Sequence, residues 1–210
     1  MIRSVKLVLL WVLIGAAPLD AQHGTHLTIG AALSGLRRVG RESGTVRESD
    51  GFLGGVDLTA RAGIFSLSGS YREGSLTDEA TTAEFPYVEG SAAVMVRVAP
   101  WLEVGSGVRV HRVDEVDPER WVAWGAGGRL ELPILGPMVR GHATYFQGLG
   151  GEVNFPESEV NAQSGEVGIT FTPIGRPFQI ELSTRVEENS SSGRTRTLQQ
   201  LALSVGWNLR

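Results

Sequence analysis

Hydrophobic and polar residues alternate along this chain with period two, in ten successive stretches. That spacing suits strands with one face in apolar surroundings and the other in polar ones. The alternation places strands at 25–34, 52–61, 64–71, 87–98, 101–111, 121–132, 138–146, 166–172, 178–186 and 198–209. Two kinds of connector separate them. The segments 62–63, 99–100, 133–137 and 173–177 are short and carry Gly or Pro, which reads as tight turns. The segments 35–51, 73–86, 112–120, 147–165 and 187–197 are longer and polar, and read as loops. Short turns alternating with long loops predict an all-β fold: a single up-and-down antiparallel transmembrane β-barrel of ten strands, with eight the alternative.

The two faces of these strands differ in chemistry. One carries residues such as Leu33, Val94, Val108, Ile169 and Leu203 and has no charged member, although 20% of the chain is charged. The other carries the acids Asp57, Glu89, Glu103, Glu131, Glu166 and Glu181, and the arginines Arg61, Arg97, Arg109, Arg129, Arg140 and Arg185, with His26, His111 and His142 beside them. Burying an unpaired charge costs several kcal/mol, so this second face cannot be an apolar core. It is expected to line a lumen, facing water or a network of ion pairs, while the first face meets something apolar. Aromatic placement indicates what that is. Phe52, Tyr71, Trp124 and Tyr145 stand at strand ends beside the long loops, and Phe65, Phe171, Phe178 and Trp207 at ends beside the short turns. Two aromatic girdles framing an aliphatic band match the two interfaces of a membrane. A soluble barrel, the competing reading, would turn the same faces the other way.

The first residues stand apart from this pattern. Arg3 and Lys6 precede an apolar run from Leu7 to Ile14 and a small-residue stretch ending at Ala21. This order predicts a signal peptide over 1–21, cleaved before Gln22, and a barrel domain over 22–210; the apolar run is too short to span a bilayer as a helix. Cysteine is absent, which excludes disulfides and thiolate-bound metals. A formal net charge of −4 with dispersed arginines speaks against nucleic acid as a partner.

In the last strand Leu201, Leu203, Val205, Trp207 and Leu209 alternate with smaller and polar residues. With this strand and the pattern as a whole, the chain resembles the bacterial outer-membrane β-barrel proteins, the class of small porin-like and OmpA-like barrels. The resemblance implies export to the outer membrane of a Gram-negative-type bacterium. It also implies contact with outer-membrane lipid and lipopolysaccharide, and insertion by the outer-membrane assembly machinery. The class usually closes on an aromatic residue, whereas this sequence ends in Arg210.

Candidate chemistry is sparse. His111 with Asp114 and Glu115, or His142, would provide the His–carboxylate pair with which a barrel protease of the omptin kind activates water. The simpler reading makes them lumen-lining side chains. His23 and His26 are too few ligands for a metal site. No catalytic, cofactor or metal residue is assigned, and no enzyme activity is expected. The acidic segments 77–84, 114–119 and 157–159 read as solvated loops rather than Ca²⁺ sites, and the Arg-rich segment 37–50 could meet anionic lipopolysaccharide. The expected function is a narrow passive pore for small solutes, or a structural or adhesive surface protein. The six acids and six arginines could neutralise each other and fill a small lumen. The alternatives are a soluble periplasmic ligand-binding barrel and an omptin-like hydrolase.

Overall fold

A computed structural model describes residues 25–115, 118–154, 160–191 and 193–209; the predicted signal peptide, His23 and the acidic segment 157–159 lie outside them. Ten strands follow in order: β1 (His26–Glu42), β2 (Thr45–Ala62), β3 (Phe65–Asp78), β4 (Glu84–Ala99), β5 (Leu102–Val113), β6 (Glu119–Leu135), β7 (Val139–Val153), β8 (Asn161–Phe171), β9 (Phe178–Ser191) and β10 (Arg194–Leu209). Each pairs antiparallel with its sequence neighbours, and β1 pairs with β10 from Leu27↔Leu209 to Glu42↔Arg194. The sheet closes on itself and leaves no edge strand exposed. The ten-strand prediction holds, as does the up-and-down topology.

The strands are longer than the alternation indicated, and most of the predicted long loops are strand. The segment 35–51 is the clearest case. It continues β1 to Glu42, turns at Ser43 and Gly44, and returns as β2. Both turn residues have positive φ, 48° and 85°, the backbone a two-residue hairpin needs to match the twist of its strands. Gly193, at φ 80°, serves the turn between β9 and β10 in the same manner. The barrel therefore has a short-turn end and a tall hairpin end, joined by continuous ladders.

Orientation follows the sequence in the lower part of the wall, nearest the short turns. Val94, Val108 and Leu203 point outward, and Phe52 on the outer face is 75% exposed. The predicted girdle residues Phe52, Phe65, Tyr71, Trp124, Tyr145, Phe171, Phe178 and Trp207 all lie on this outer face, with Phe178 and Trp207 in ring contact at 6.4 Å. Ten residue steps along β2 lead from Phe52 to Ala62. At ~3.4 Å per residue and ~40° tilt these rise roughly 26 Å, close to the ~25 Å apolar band of an outer-membrane barrel.

Above Phe52, Tyr71, Trp124 and Tyr145 the two faces exchange character, which corrects the expectation of a polar interior throughout. Outward positions become polar: Arg37, Glu48, Glu73, Arg112, Glu188 and Gln199. Inward positions become apolar: Leu36, Leu53, Leu76, Phe85, Tyr87, Val113 and Leu198 form one buried cluster inside the barrel. This upper part has the inside-out order of a water-soluble barrel. The lower part has the reverse.

Candidate functional site in the barrel lumen

Beneath the apolar plug the lumen is crossed by charge. Inward alternation on β2 and β3 delivers Asp57 and Arg72, on β4 Tyr87 and Glu89, on β5 Arg109 and His111, and on β9 Arg185, Glu187 and Asn189. Glu89 accepts hydrogen bonds from Arg185 at 2.6 Å, Arg72 at 3.2 Å and Gln200 at 3.0 Å. Arg72 also reaches Asp57 at 3.0 Å. On the other side of the layer Glu187 receives Arg109 at 2.7 Å, His111 Nε2 at 2.6 Å and Asn189 at 2.9 Å. The Tyr87 hydroxyl lies 2.8 Å from His111 Nδ1, and the Arg109 guanidinium stacks 4.9 Å from the Phe146 ring centroid.

Geometry turns this list into a barrier. In a ring of ten strands β4 and β9 stand on opposite sides, so the Glu89–Arg185 pair spans the lumen. The bonds from β5 to Glu187 of β9 do nearly the same. Glu89 and Glu187 are each 2% exposed. Buried ions need full compensation because desolvation removes several kcal/mol of hydration from each, and here each carboxylate gathers three donors.

Above the plug, Arg38 pairs with Glu115 and with Glu119 at 3.1 Å, and Arg196 with Glu119, around a hollow of about 310 Å³ at the upper mouth. The Arg196 guanidinium lies 5.1 Å from the Trp121 ring centroid. Below the layer, a cavity of about 230 Å³ runs between Ser, Gly and Thr residues of the lower wall and is lined also by Gln179, Glu166 and Glu181. At the lower mouth Glu131 pairs with Arg140 at 2.8 Å, Arg61 at 3.3 Å and Arg129 at 3.9 Å, and Glu103 with Arg97 at 3.1 Å.

All fourteen predicted lumen residues occupy inward positions: Asp57, Arg61, Glu89, Arg97, Glu103, Arg109, His111, Arg129, Glu131, Arg140, His142, Glu166, Glu181 and Arg185. They fall into separate groups rather than one lining. His142 stands apart with Glu166 and Glu181. The proposed grouping of His111 with Asp114 and Glu115 does not form, since Asp114 bonds Arg112 at 2.6 Å and Glu115 bonds Arg38. Both His111 nitrogens are already engaged by Tyr87 and Glu187. In the segment 77–84, Asp78 Oδ1 accepts from the backbone N–H groups of Ala80 and Thr81 and from the Thr81 hydroxyl, which makes it a turn-forming residue.

Sequence reading missed Arg72, Glu187, Asn189, Arg38 and Arg196, all of them beyond the predicted strand ends, and Gln200, an uncharged residue inside the last one. Arg72 directly follows Tyr71 and keeps the inward parity of Ser66, Ser68 and Ser70. Glu187 continues the parity of Glu181 and Arg185. Extending the alternation through polar residues was the signal that could have found them.

No protein-family model matches the chain, and no curated protein matches it in sequence. Solved structures do match in shape. The outer membrane protease OmpT from Escherichia coli superposes with a TM-score of 0.54 at 7% identity, over 92% of this chain and 99% of that one. The β domain of the Bordetella autotransporter BrkA superposes with a TM-score of 0.51 at 12% identity, over 88% and 99%. The chain has the fold of the bacterial outer-membrane β-barrels.

Proposed function

We infer that the protein resides in the outer membrane of a Gram-negative-type bacterium and serves there as a closed surface barrel with no open pore. The observation that carries this reading is the diametric Glu89–Arg185 bridge under the plug of Leu53, Leu76 and Tyr87, each 0% to 2% exposed except Arg185 at 7%. A solute path through the centre would have to break buried ion pairs and leave their charges unpaired.

The aliphatic belt between the two aromatic rings supports membrane residence, because an apolar patch of that extent is not left in water. Its neighbours would be outer-membrane lipid and lipopolysaccharide, with insertion by the assembly machinery guided by the outward series Leu201 to Leu209 on β10. Export would be accompanied by cleavage before Gln22, so the mature chain is expected to begin there on N-terminal sequencing. No hydrolytic role is assigned. His111 has no nitrogen left for a water molecule, and its side chain is 4% exposed.

Planar-bilayer recording of the purified chain tests closure. The expected outcome is no steady single-channel current; a large, steady open-channel current would overturn it. Cell fractionation tests location. A heat-modifiable band in the detergent-extracted envelope is expected, and release with the soluble periplasm would contradict it.

A further inference from the structure

We propose that His142, Glu166 and Glu181 form a site for a divalent transition metal of the Zn²⁺ class on the lower lumen wall. This goes beyond the closed-barrel reading and does not depend on it. The three residues come from consecutive strands β7, β8 and β9, and their ligand atoms all lie within 4.8 Å of one another.

Four observations converge. The first is the imidazole itself. It is buried, and neither ring nitrogen has a hydrogen-bond partner among the described residues. Nε2 lies 3.5 Å from Glu166 Oε1 and 3.9 Å from Glu181 Oε1, longer than ordinary hydrogen bonds. A tetrahedral shell with bonds of about 2.1 Å would set its ligand atoms about 3.4 Å apart, close to these spacings. A buried, unpaired imidazole between two carboxylates is costly unless something joins them.

The second is Gly168, which faces His142 across the β7–β8 ladder. A Cβ there would come within 2.5 Å of the imidazole ring. Only glycine leaves the ring room to lie across β8, and that path carries Nε2 towards Glu181 on β9. The third is the orientation of Glu181: Thr170 donates a hydrogen bond to Oε2 at 3.1 Å, which leaves Oε1 as the atom nearest Nε2. Such outer hydrogen bonds hold metal-binding carboxylates in place.

The fourth is charge. The other inward acids of the lower wall and central layer pair with arginine: Asp57 with Arg72, Glu89 with Arg185, Glu103 with Arg97, Glu131 with Arg140 and Glu187 with Arg109. Glu166 and Glu181 have no arginine partner among the described residues. Arg185 lies opposite Glu166 in the ladder but is engaged by Glu89. With a neutral imidazole the trio carries two negative charges with no arginine in direct contact, Arg185 and Arg109 acting on Glu166 only at longer range, and a divalent cation neutralises them. Both carboxylates line the 230 Å³ cavity, so an ion has access and a coordination position remains for water.

The test uses the full chain refolded in detergent and Zn²⁺ as the probe, titrated against a chromophoric chelator. One Zn²⁺ per barrel is expected. Binding should weaken by at least about tenfold in His142→Ala, Glu166→Gln and Glu181→Gln. Gly168→Ala, which replaces no ligand but crowds the His142 ring out of its cradle, should weaken it too. A His23→Ala/His26→Ala variant should bind as the parent does, and heat-modifiable mobility confirms that each variant folds. Co²⁺ in place of Zn²⁺ should give visible ligand-field absorption that His142→Ala abolishes. No stoichiometric binding by the parent would overturn the proposal. So would binding that survives in all folded His142, Glu166 and Glu181 variants, or binding lost only with His23 and His26.

Discussion

The lower and upper halves of this barrel share ladders but obey opposite solvation rules. On β10 the outward residues run Leu209, Trp207, Val205, Leu203 and Leu201 in the lower half, then Gln199 and Thr197 above. The inward residues of the same strand run Asn208, Gly206 and Ser204 below, and Ala202, Gln200 and Leu198 above. One continuous strand thus reverses its faces without a break in register. Its two surroundings impose the reversal: a lower outer face against an apolar medium, an upper outer face against water. Polar groups fill the space inside where the wall is apolar, and an apolar plug fills it where the wall is polar. The bridging layer of Glu89, Arg185, Arg109 and Glu187 sits where the two regimes meet, and the three donors on each carboxylate offset the cost of burying these ions. They are shielded from above by the plug.

Substitutions can break this contrast in order of severity. Glu89→Ala leaves the Arg72 and Arg185 guanidiniums buried without their shared partner, and should cost ~3–5 kcal/mol of unfolding free energy in a denaturant titration. A loss below ~1 kcal/mol would mean the layer is not organised as described. Leu203→Arg places a charge in the apolar belt and should cost ~2–4 kcal/mol in lipid bilayers. Gln199→Arg, four residues away on the same outer face, should stay within ~0.5 kcal/mol. Equal costs at the two positions would erase the boundary between the halves.

Much of the lower half was legible because its alternation sets hydrophobic against charged residues, a contrast that survives small errors in strand limits. Leu203, Val205 and Trp207 against Ser204 and Gly206 leave one register possible. The upper half was hidden for a physical reason. There the outward residues are polar, and the inward set mixes Leu36 with Arg38 and Leu198 with Arg196 and Gln200, so the contrast between faces vanishes and the segment resembles a loop. The Ser43–Gly44 pair is an unused sign of a hairpin within 35–51, which the alternation presents as a loop, since Gly following a small polar residue supplies the positive φ of a two-residue turn. Parity alone also placed His142, Glu166 and Glu181 on one face. Their convergence depends on Gly168 and on cross-strand register, which composition does not reveal.

The reversal of faces along one strand is best tested with single nitroxide labels on the outward positions of β10, in a chain that has no native cysteine to remove. In liposomes, labels at 201, 203, 205 and 207 should relax with molecular oxygen and resist a water-soluble nickel chelate, with the preference switching between 201 and 199. Ready collision of the chelate with labels at 203 and 205 would contradict the account, because the belt would then face water.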